Sequence, residues 1–514
     1  MTNPGAAIKM LITYAICIPI AIFVGYLLTN PLDYGTLGFL GLVLALIISP
    51  VFIKWHYPIM VFGLSLPAYL FFLKGDPQVW QVTTLLCLGI AVVERAMNSE
   101  KRFLKAPAMS WPLLFTLGMA IITMKLTGGF GLHMLGADTG GGKKYINLYL
   151  GIATFFALVS QGIPPAQRKL YITLFFISGA FGFISDMFPF LTKPLNYINL
   201  LFPPSGFSMS DVGTISASRL GYLANSATAI MIFLVARFGL RGIFSLAHLF
   251  RLALFLGLFI ISMMGGFRSA VAGNLLLMGL VFVMEGLHRT KLTAVIAIFV
   301  LIAACLIVPF SRDMPYNIQR ALSFLPVDVD PLARADAVAS TEWRQNIWRA
   351  VWPTVPDYLL LGKGYALSTT DFESMGNDTA FKLSAQVDAS QEGLAISGDY
   401  HSGPLSTLIA FGIWGGISIL GLMVGGLYVL YRNYKYGEPD LLIINSLLLA
   451  IHLQHIITFF FVFGGYDGDV GYFARIVGFS VALNWGVRGP RPQVAAVQHV
   501  KPLQPQPLPR PLPA

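Results

Sequence analysis

The sequence predicts an all-α polytopic membrane protein with about 12–14 transmembrane helices and a large extracytoplasmic loop before the last spans. Composition is the first reason: of 514 residues, 56% are hydrophobic and only 11% are charged, whereas soluble domains carry about 25% charged residues. Recurrence is the second. Apolar runs return from residue 11 to about residue 485, many near the roughly 20 residues that cross a bilayer as a helix. The third is where the charge sits. The formal net charge is +10, but the basic residues punctuate the apolar runs and do not gather on one face. That pattern sets membrane topology and argues against nucleic acid as a partner. A barrel would show short alternating segments, and none are present.

Taken in order, the expected spans are 11–28, 35–53, 56–73, 80–95, 106–124, 146–163 and 170–187, then 220–237, 246–264, 269–286, 292–310, 403–430, 440–463 and 471–487. Lys54, the Arg95 to Lys105 group, Arg168 with Lys169, Arg237 with Arg241, Arg289 with Lys291, and Arg432 with Lys435 mark every second loop. The positive-inside rule places those loops and both termini in the cytoplasm, with Lys143 and Lys144 as exceptions. The first run lacks a small-residue cleavage site and reads as a retained helix.

The chain therefore divides into eleven spans within 1–310, a periplasmic loop over 311–402, three spans over 403–487 and a proline-rich tail over 488–514. The tail is too poor in apolar surface to repay ordering. A second external connection, 188–218, holds Pro194, Pro203 and Pro204 and reads as irregular or partly re-entrant. Within the large loop, Ser340 is the expected N-cap of a short helix that runs to Trp352 and stops at Pro353. Trp343, Ile347 and Val351 fall on one face of it, able to lie on the membrane rim or on the bundle. Cys17, Cys87 and Cys305 all fall in spans and give no disulfide framework.

Polar groups at the outer ends of spans are the functional candidates, because ionisable residues at membrane depth are expensive. Arg219 opens the eighth span, and Arg268 sits in the turn Gly265-Gly266-Phe267-Arg268-Ser269. A guanidinium fork suits phosphate oxygens, so the pair can hold a lipid-linked pyrophosphate; each can also simply snorkel to headgroups. The loop adds Arg312, Arg320, Arg334, Arg344, Arg349 and Lys363. Arg344 and Trp348 share a helical face, as a sugar-phosphate platform or as a rim anchor. Histidine's reference pKa allows proton exchange at ordinary pH, and His401 stands just before a long span, with Asp399 placed to orient or compete with it. His452 and His455 can form a proton path, a metal pair or interhelical hydrogen bonds. Asp467 and Asp469 flank the last external turn, in contact with solvent or with an acceptor. No nucleotide-binding loop, lipase elbow or zinc-protease motif occurs, and the outer polar set is dominated by arginine and histidine, which favours transfer without a metal or other cofactor.

These pieces, in order, resemble the O-antigen ligase and O-antigen polymerase superfamily of bacterial membrane glycosyltransferases. The matching fragments are Arg219-Leu220-Gly221 with Asn225, Phe267-Arg268-Ser269, Arg344-Gln345-Asn346-Ile347-Trp348 and Leu361-Gly362-Lys363-Gly364-Tyr365. His401-Ser402-Gly403-Pro404-Leu405 and Gly412-Ile413-Trp414-Gly415-Gly416 complete them, and the resemblance covers roughly residues 200–470. It implies an inner-membrane enzyme that moves a glycan from an undecaprenyl-pyrophosphate donor to a lipid or glycan acceptor at the periplasmic face. Arg219 and Arg268 would bind the pyrophosphate with help from Arg344, and His401 would deprotonate or position the acceptor hydroxyl. Ser402 stands where the family often has asparagine, and Phe267 where it has serine, which leaves ligase and polymerase chemistry both open. A transporter or flippase of lipid-linked glycans is the alternative; it would place its polar sites at the midplane, whereas this chain concentrates them outside.

Overall fold

A computed structural model describes residues 4–27, 29, 34–73, 75–129, 141–187, 193–203, 220–367, 398 and 400–490. Among these the chain is helical without strands, and its extended segments meet in one antiparallel bridge, Tyr69 with Gln78. It is an all-α polytopic membrane protein. Helices suit that setting because a bilayer offers the backbone no hydrogen-bond partner.

Two compact units form, Met1–Met60 and Val61–Ala514. The first holds α1 (Pro4–Leu27) and most of α2 (Tyr34–Gly63), which breaks at Trp55. The second begins with α3 (Val79–Met97), α4 (Pro107–Thr127), α5 (Gly142–Leu158), α6 (Arg168–Ile177) and α7 (Phe183–Asp186). Next come α8 (Gly221–Ile243), α9 (Leu249–Ser262), α10 (Arg268–Met284) and α11 (Leu292–Phe310). Three shorter elements follow, α12 (Tyr316–Leu322), α13 (Pro331–Val351) and α14 (Val355–Tyr358). The chain closes with α15 (Gly403–Tyr436), α16 (Leu442–Phe461) and α17 (Tyr466–Asn484).

Against the twelve to fourteen crossings expected, seven helical segments among the described residues are long and apolar enough to cross a membrane. They are Val79–Met97, Pro107–Thr127, Pro165–Asp186, Gly221–Ile243, Leu292–Asp313, Gly403–Tyr436 and Pro439–Phe461. Thr13–Tyr26, Leu249–Gly265 and Arg268–Met284 are apolar but shorter. The expected span 56–73 is not one helix. α2 ends at Gly63, and the chain turns through Ser65-Leu66-Pro67 to pair Val79 N with Ala68 O at 2.9 Å. Proline disfavours helix in the residue before it, which accounts for the stop.

One end of the bundle gathers basic loops. Arg168 Nη1 reaches Glu438 at 2.5 Å and Arg488 Nη2 reaches the same carboxylate at 3.0 Å. Nearby, Ile163 N donates to Ala482 O, Trp485 Nε1 to Ile163 O, and Tyr434 Oη to Met284 O. Glu285 accepts from Leu240 N at 3.0 Å and Arg241 N at 3.3 Å, capping the last turn of α8 after its break at Gly239.

Helix α15 is discontinuous, and the break positions the site. Gly412 adopts φ 60° and ψ −150°, backbone that essentially only glycine adopts. The backbone groups freed there are claimed by the segment after α14. Ile413 N donates to Leu359 O at 2.8 Å, Lys363 N to Ile409 O at 2.7 Å and Gly364 N to Ala410 O at 2.9 Å. A Cβ on Gly412 would lie 2.4 Å from Leu359 O, and one on Gly362 would lie 2.3 Å from Ala410 O. The two glycine motifs of the sequence are thus the two sides of one backbone contact. Non-helical backbone at such depth is tolerated only where protein satisfies it in this way.

The helix expected to start from a Ser340 cap starts ten residues earlier, with its cap at Asp330 and its first residue at Pro331. Asp330 caps it, its side chain accepting from Leu332 N at 2.7 Å, and Pro331 supplies the first-turn φ that helices favour. Ser340 lies inside the helix and is not its cap. The Trp343, Ile347 and Val351 face packs on the bundle: Ile347 and Val351 are buried with Val355, Tyr400, Leu405 and Ile409, and Trp343 and Trp348 lie against them.

Candidate functional site

Three arginines meet where α10, α12 and α13 converge. Arg268 opens α10, and its Nη2 donates to Ala337 O at 2.5 Å and Thr341 Oγ1 at 2.7 Å, both on α13. Arg344 lies one turn further along α13 and is half-buried. Arg320 of α12 is buried behind them, paired through Nε with Asp336 at 2.5 Å. Its Nη1 donates to Gly266 O and its Nη2 to Ser340 Oγ at 2.8 Å. The apolar support is local: Ile318, Ala321 and Leu322 of α12 are buried with Met263 and Val271 from either side of the Arg268 turn.

The arrangement carries surplus positive charge. Among the described residues Arg320 and Arg344 repel the charge of Arg268, and Asp336 attracts it. Burial, and then the charge of Arg320, pull the Arg344 guanidinium below its ordinary value. Among the described residues no carboxylate pairs with Arg344. Guanidinium groups held together against mutual repulsion favour a polyanion with several oxygens, since fork geometry matches phosphate.

The same helix holds His401. The imidazole sits edge-on between Trp343 of α13, with ring centroids 5.2 Å apart, and Phe463 after α16, at 5.0 Å. Trp348 Nε1 donates to Tyr400 O at 2.9 Å, fastening the adjacent residue to α13. His401 has φ 50°, a left-handed conformation in which histidine is enriched relative to most non-glycine residues but which still costs energy. Ser402 then starts α15 as its N-cap, with Pro404 in the first turn. Tyr400 is buried, which pushes its hydroxyl up to about 12, so it stays protonated.

The residues singled out by sequence fall into three places. Arg268 and Arg344 come together, and α13 links them to Trp348 and His401. Lys363 lines a cavity of about 20 Å³ with Gly364, Tyr365, Gly398 and Tyr400, the residue before His401. Its backbone, paired with Ile409 O, shows why the Gly-Lys-Gly turn exists. Arg219 and Asp399 lie outside the described residues, as do 368–397 and the tail from 491.

Two features were not legible. Arg320 was one of seven lysines and arginines in the loop, and nothing in its spacing marked it as the buried centre of the cluster. The polar run Asn317, Gln319, Arg320 is buried despite its composition, a pattern visible only once the helix is placed. His455, read without a carboxylate partner, pairs through Nε2 with Asp469 of α17 at 2.7 Å and stacks on Tyr472 at 3.9 Å. His452 instead meets Met423 O at 3.0 Å. The two imidazoles therefore take separate partners.

The family described as O-antigen ligase matches residues 252–420. That region runs from α9 through the break in α15 and contains Arg268, Arg320, Arg344, Lys363 and His401. No curated protein matches the chain.

Proposed function

We propose that the chain, whose residues 252–420 match the family described as O-antigen ligase, transfers a glycan from undecaprenyl pyrophosphate to a hydroxyl acceptor at the periplasmic face. One observation carries this reading: α13 joins the arginine cluster, through Ala337, Thr341 and Arg344, to the histidine held by Trp343.

In this reading Arg268 and Arg344 bind the donor pyrophosphate, with Arg219 joining them as the resemblance implies. Arg320 does not touch the donor; it fixes the Gly266 turn to α13 and so sets the spacing of the other two. The acceptor oxygen attacks the anomeric carbon. The bond from that carbon to pyrophosphate breaks, and the leaving group takes the electron pair. His401 accepts the hydroxyl proton as general base. Negative charge grows on the pyrophosphate as it leaves, so fixed guanidinium groups stabilise the transition state more than the ground state. Such charge neutralisation meets the need that a divalent cation serves in other transferases. Trp348 serves mainly to fasten Tyr400 and thereby the His401 turn.

The basic loops gathered at one end of the bundle support a cytoplasmic assignment for that end. The starts of α10 and α15 then face the periplasm. The test is glycan transfer by purified protein in liposomes given an undecaprenyl-pyrophosphate glycan, with and without EDTA, and either core lipid or a second lipid-linked repeat. Product on core lipid identifies a ligase, and chain growth on the carrier identifies a polymerase. Absence of transfer from correctly presented substrates would overturn the proposal.

A further inference from the structure

A second polar site lies away from the arginine cluster, between α3, α5 and α17. Here a cavity of about 190 Å³ is lined by Gln78, Trp80, Asn147, Thr154, Asp467 and Arg475, among others. Its wall is a continuous hydrogen-bond ladder. Gln78 N donates to Gln81 Oε1 at 2.8 Å, Gln81 Nε2 to Asn147 Oδ1 at 3.2 Å, and Asn147 Nδ2 to Asp467 Oδ2 at 3.2 Å. Trp80 Nε1 donates to Gln78 Oε1 at 2.5 Å, fixing the indole on that wall. α5 and α17 close the cavity's far side through Gly151 against Gly471: a Cβ on Gly151 would lie 2.8 Å from the Gly471 Cα.

Arg475 gives the cavity its character. It lies about 14 Å along α17 from Tyr466, at a depth where an ionised side chain needs a reason. One donor, Nη1, reaches Leu64 O at 2.5 Å, and the guanidinium lies 5.7 Å from the Tyr472 ring centroid. No carboxylate among the described residues pairs with it: Asp469, on the same helix, is engaged by His455, and Asp467 by Asn147. Arg475 lines the cavity beside Asp467, Gly468 and Gly471. A half-buried guanidinium without a carboxylate partner is stabilised by an anionic group from outside. The amides, carboxylate and indole above it match hydroxyls and a ring face better than a bare phosphate.

We propose that this cavity binds an acidic saccharide, with its carboxylate or phosphate on Arg475 and its hydroxyls on Gln78, Asn147 and Asp467. The site lies outside the region matched by the O-antigen ligase family. Binding is independent of the transfer reading; a role for the site in holding the acceptor rests on that reading.

The experiment is ligand-observed NMR titration of the full chain in detergent with glucuronate, glucose 1-phosphate, glucose and inorganic phosphate. The two acidic sugars should bind roughly tenfold tighter than glucose, the worth of one charge-assisted contact, and tighter than inorganic phosphate. Arg475→Gln should bring acidic and neutral sugars to equal affinity. Asn147→Ala should weaken all the sugars while keeping their ratio, which covers the case that Arg475→Gln does not fold. Saccharide binding by a wild-type protein that shows no glycan transfer would sink the transfer reading alone. No sugar binding, a preference for inorganic phosphate, or an acidic preference that survives Arg475→Gln would overturn the proposal.

Discussion

At the residue scale, Arg268 and Arg320 show how two arginines in one cluster do different work. Arg268 is half-buried, its Nη2 anchored on α13. Arg320 is 4% exposed and has its Nε, Nη1 and Nη2 on Asp336, Gly266 O and Ser340. Removing one partner of a buried pair strands the other charge. Arg320→Met should therefore cost about 3–5 kcal/mol of stability. The double change Arg320→Met with Asp336→Leu should recover much of that loss while leaving transfer impaired, because the Gly266 turn is no longer tied to α13. Thermal unfolding in detergent, read beside transfer rate, checks both. A double variant with full activity would remove Arg320 from its positioning role. Arg268 and His401 were legible in the sequence because each breaks an apolar pattern at the mouth of a span. Arg320 was not, because its partners lie 16, 20 and 54 residues away and only the fold brings them together.

At the element scale the break in α15 is the decisive feature. One apolar helix, Gly403–Tyr436, covers the expected span 403–430, and hydropathy averaged over it gives no sign of interruption at Gly412. What closes the gap is backbone from 359–364, so the signal lay in pairing two separate glycine motifs. Gly412→Ala combines a Cβ 2.4 Å from Leu359 O with backbone that alanine adopts poorly. It should cost about 1–3 kcal/mol from the backbone alone, more with the clash, and should release the Gly362 turn from α15. Protease sensitivity near residue 362 would rise in the variant; an unchanged cleavage pattern and unchanged melting would contradict the account. Helix α13 teaches the complementary lesson. Its start was hidden because Asp330-Pro331 reads equally as a turn, yet this pair both caps and preorganises the helix. The added length is what lets one element reach Arg268 at Ala337 and His401 at Trp343.

At the scale of the whole molecule, the all-α membrane class followed from composition and recurrence alone, since burying that much apolar surface requires lipid. The number of crossings did not follow. Residues 56–73 are apolar enough for a span but turn at Pro67, and α17 carries Asp467, Asp469 and Arg475 within a helix that hydropathy alone would trim. Tertiary pairing was the part beyond reach: the His455–Asp469 contact and the cavity above Arg475 join elements whose separation in sequence says nothing of their contact.

The central claim is a division of labour, with arginines holding the donor and His401 moving the proton. It is tested most directly by measuring donor binding and single-turnover transfer separately for wild type, Arg268→Ala, Arg344→Ala and His401→Ala in liposomes. His401→Ala should bind undecaprenyl-pyrophosphate glycan as wild type yet transfer about 10²–10⁴-fold more slowly, while both arginine variants should lose donor affinity as well as rate. A His401→Ala protein that transfers at the wild-type rate, or arginine variants that bind donor unchanged, would contradict the account.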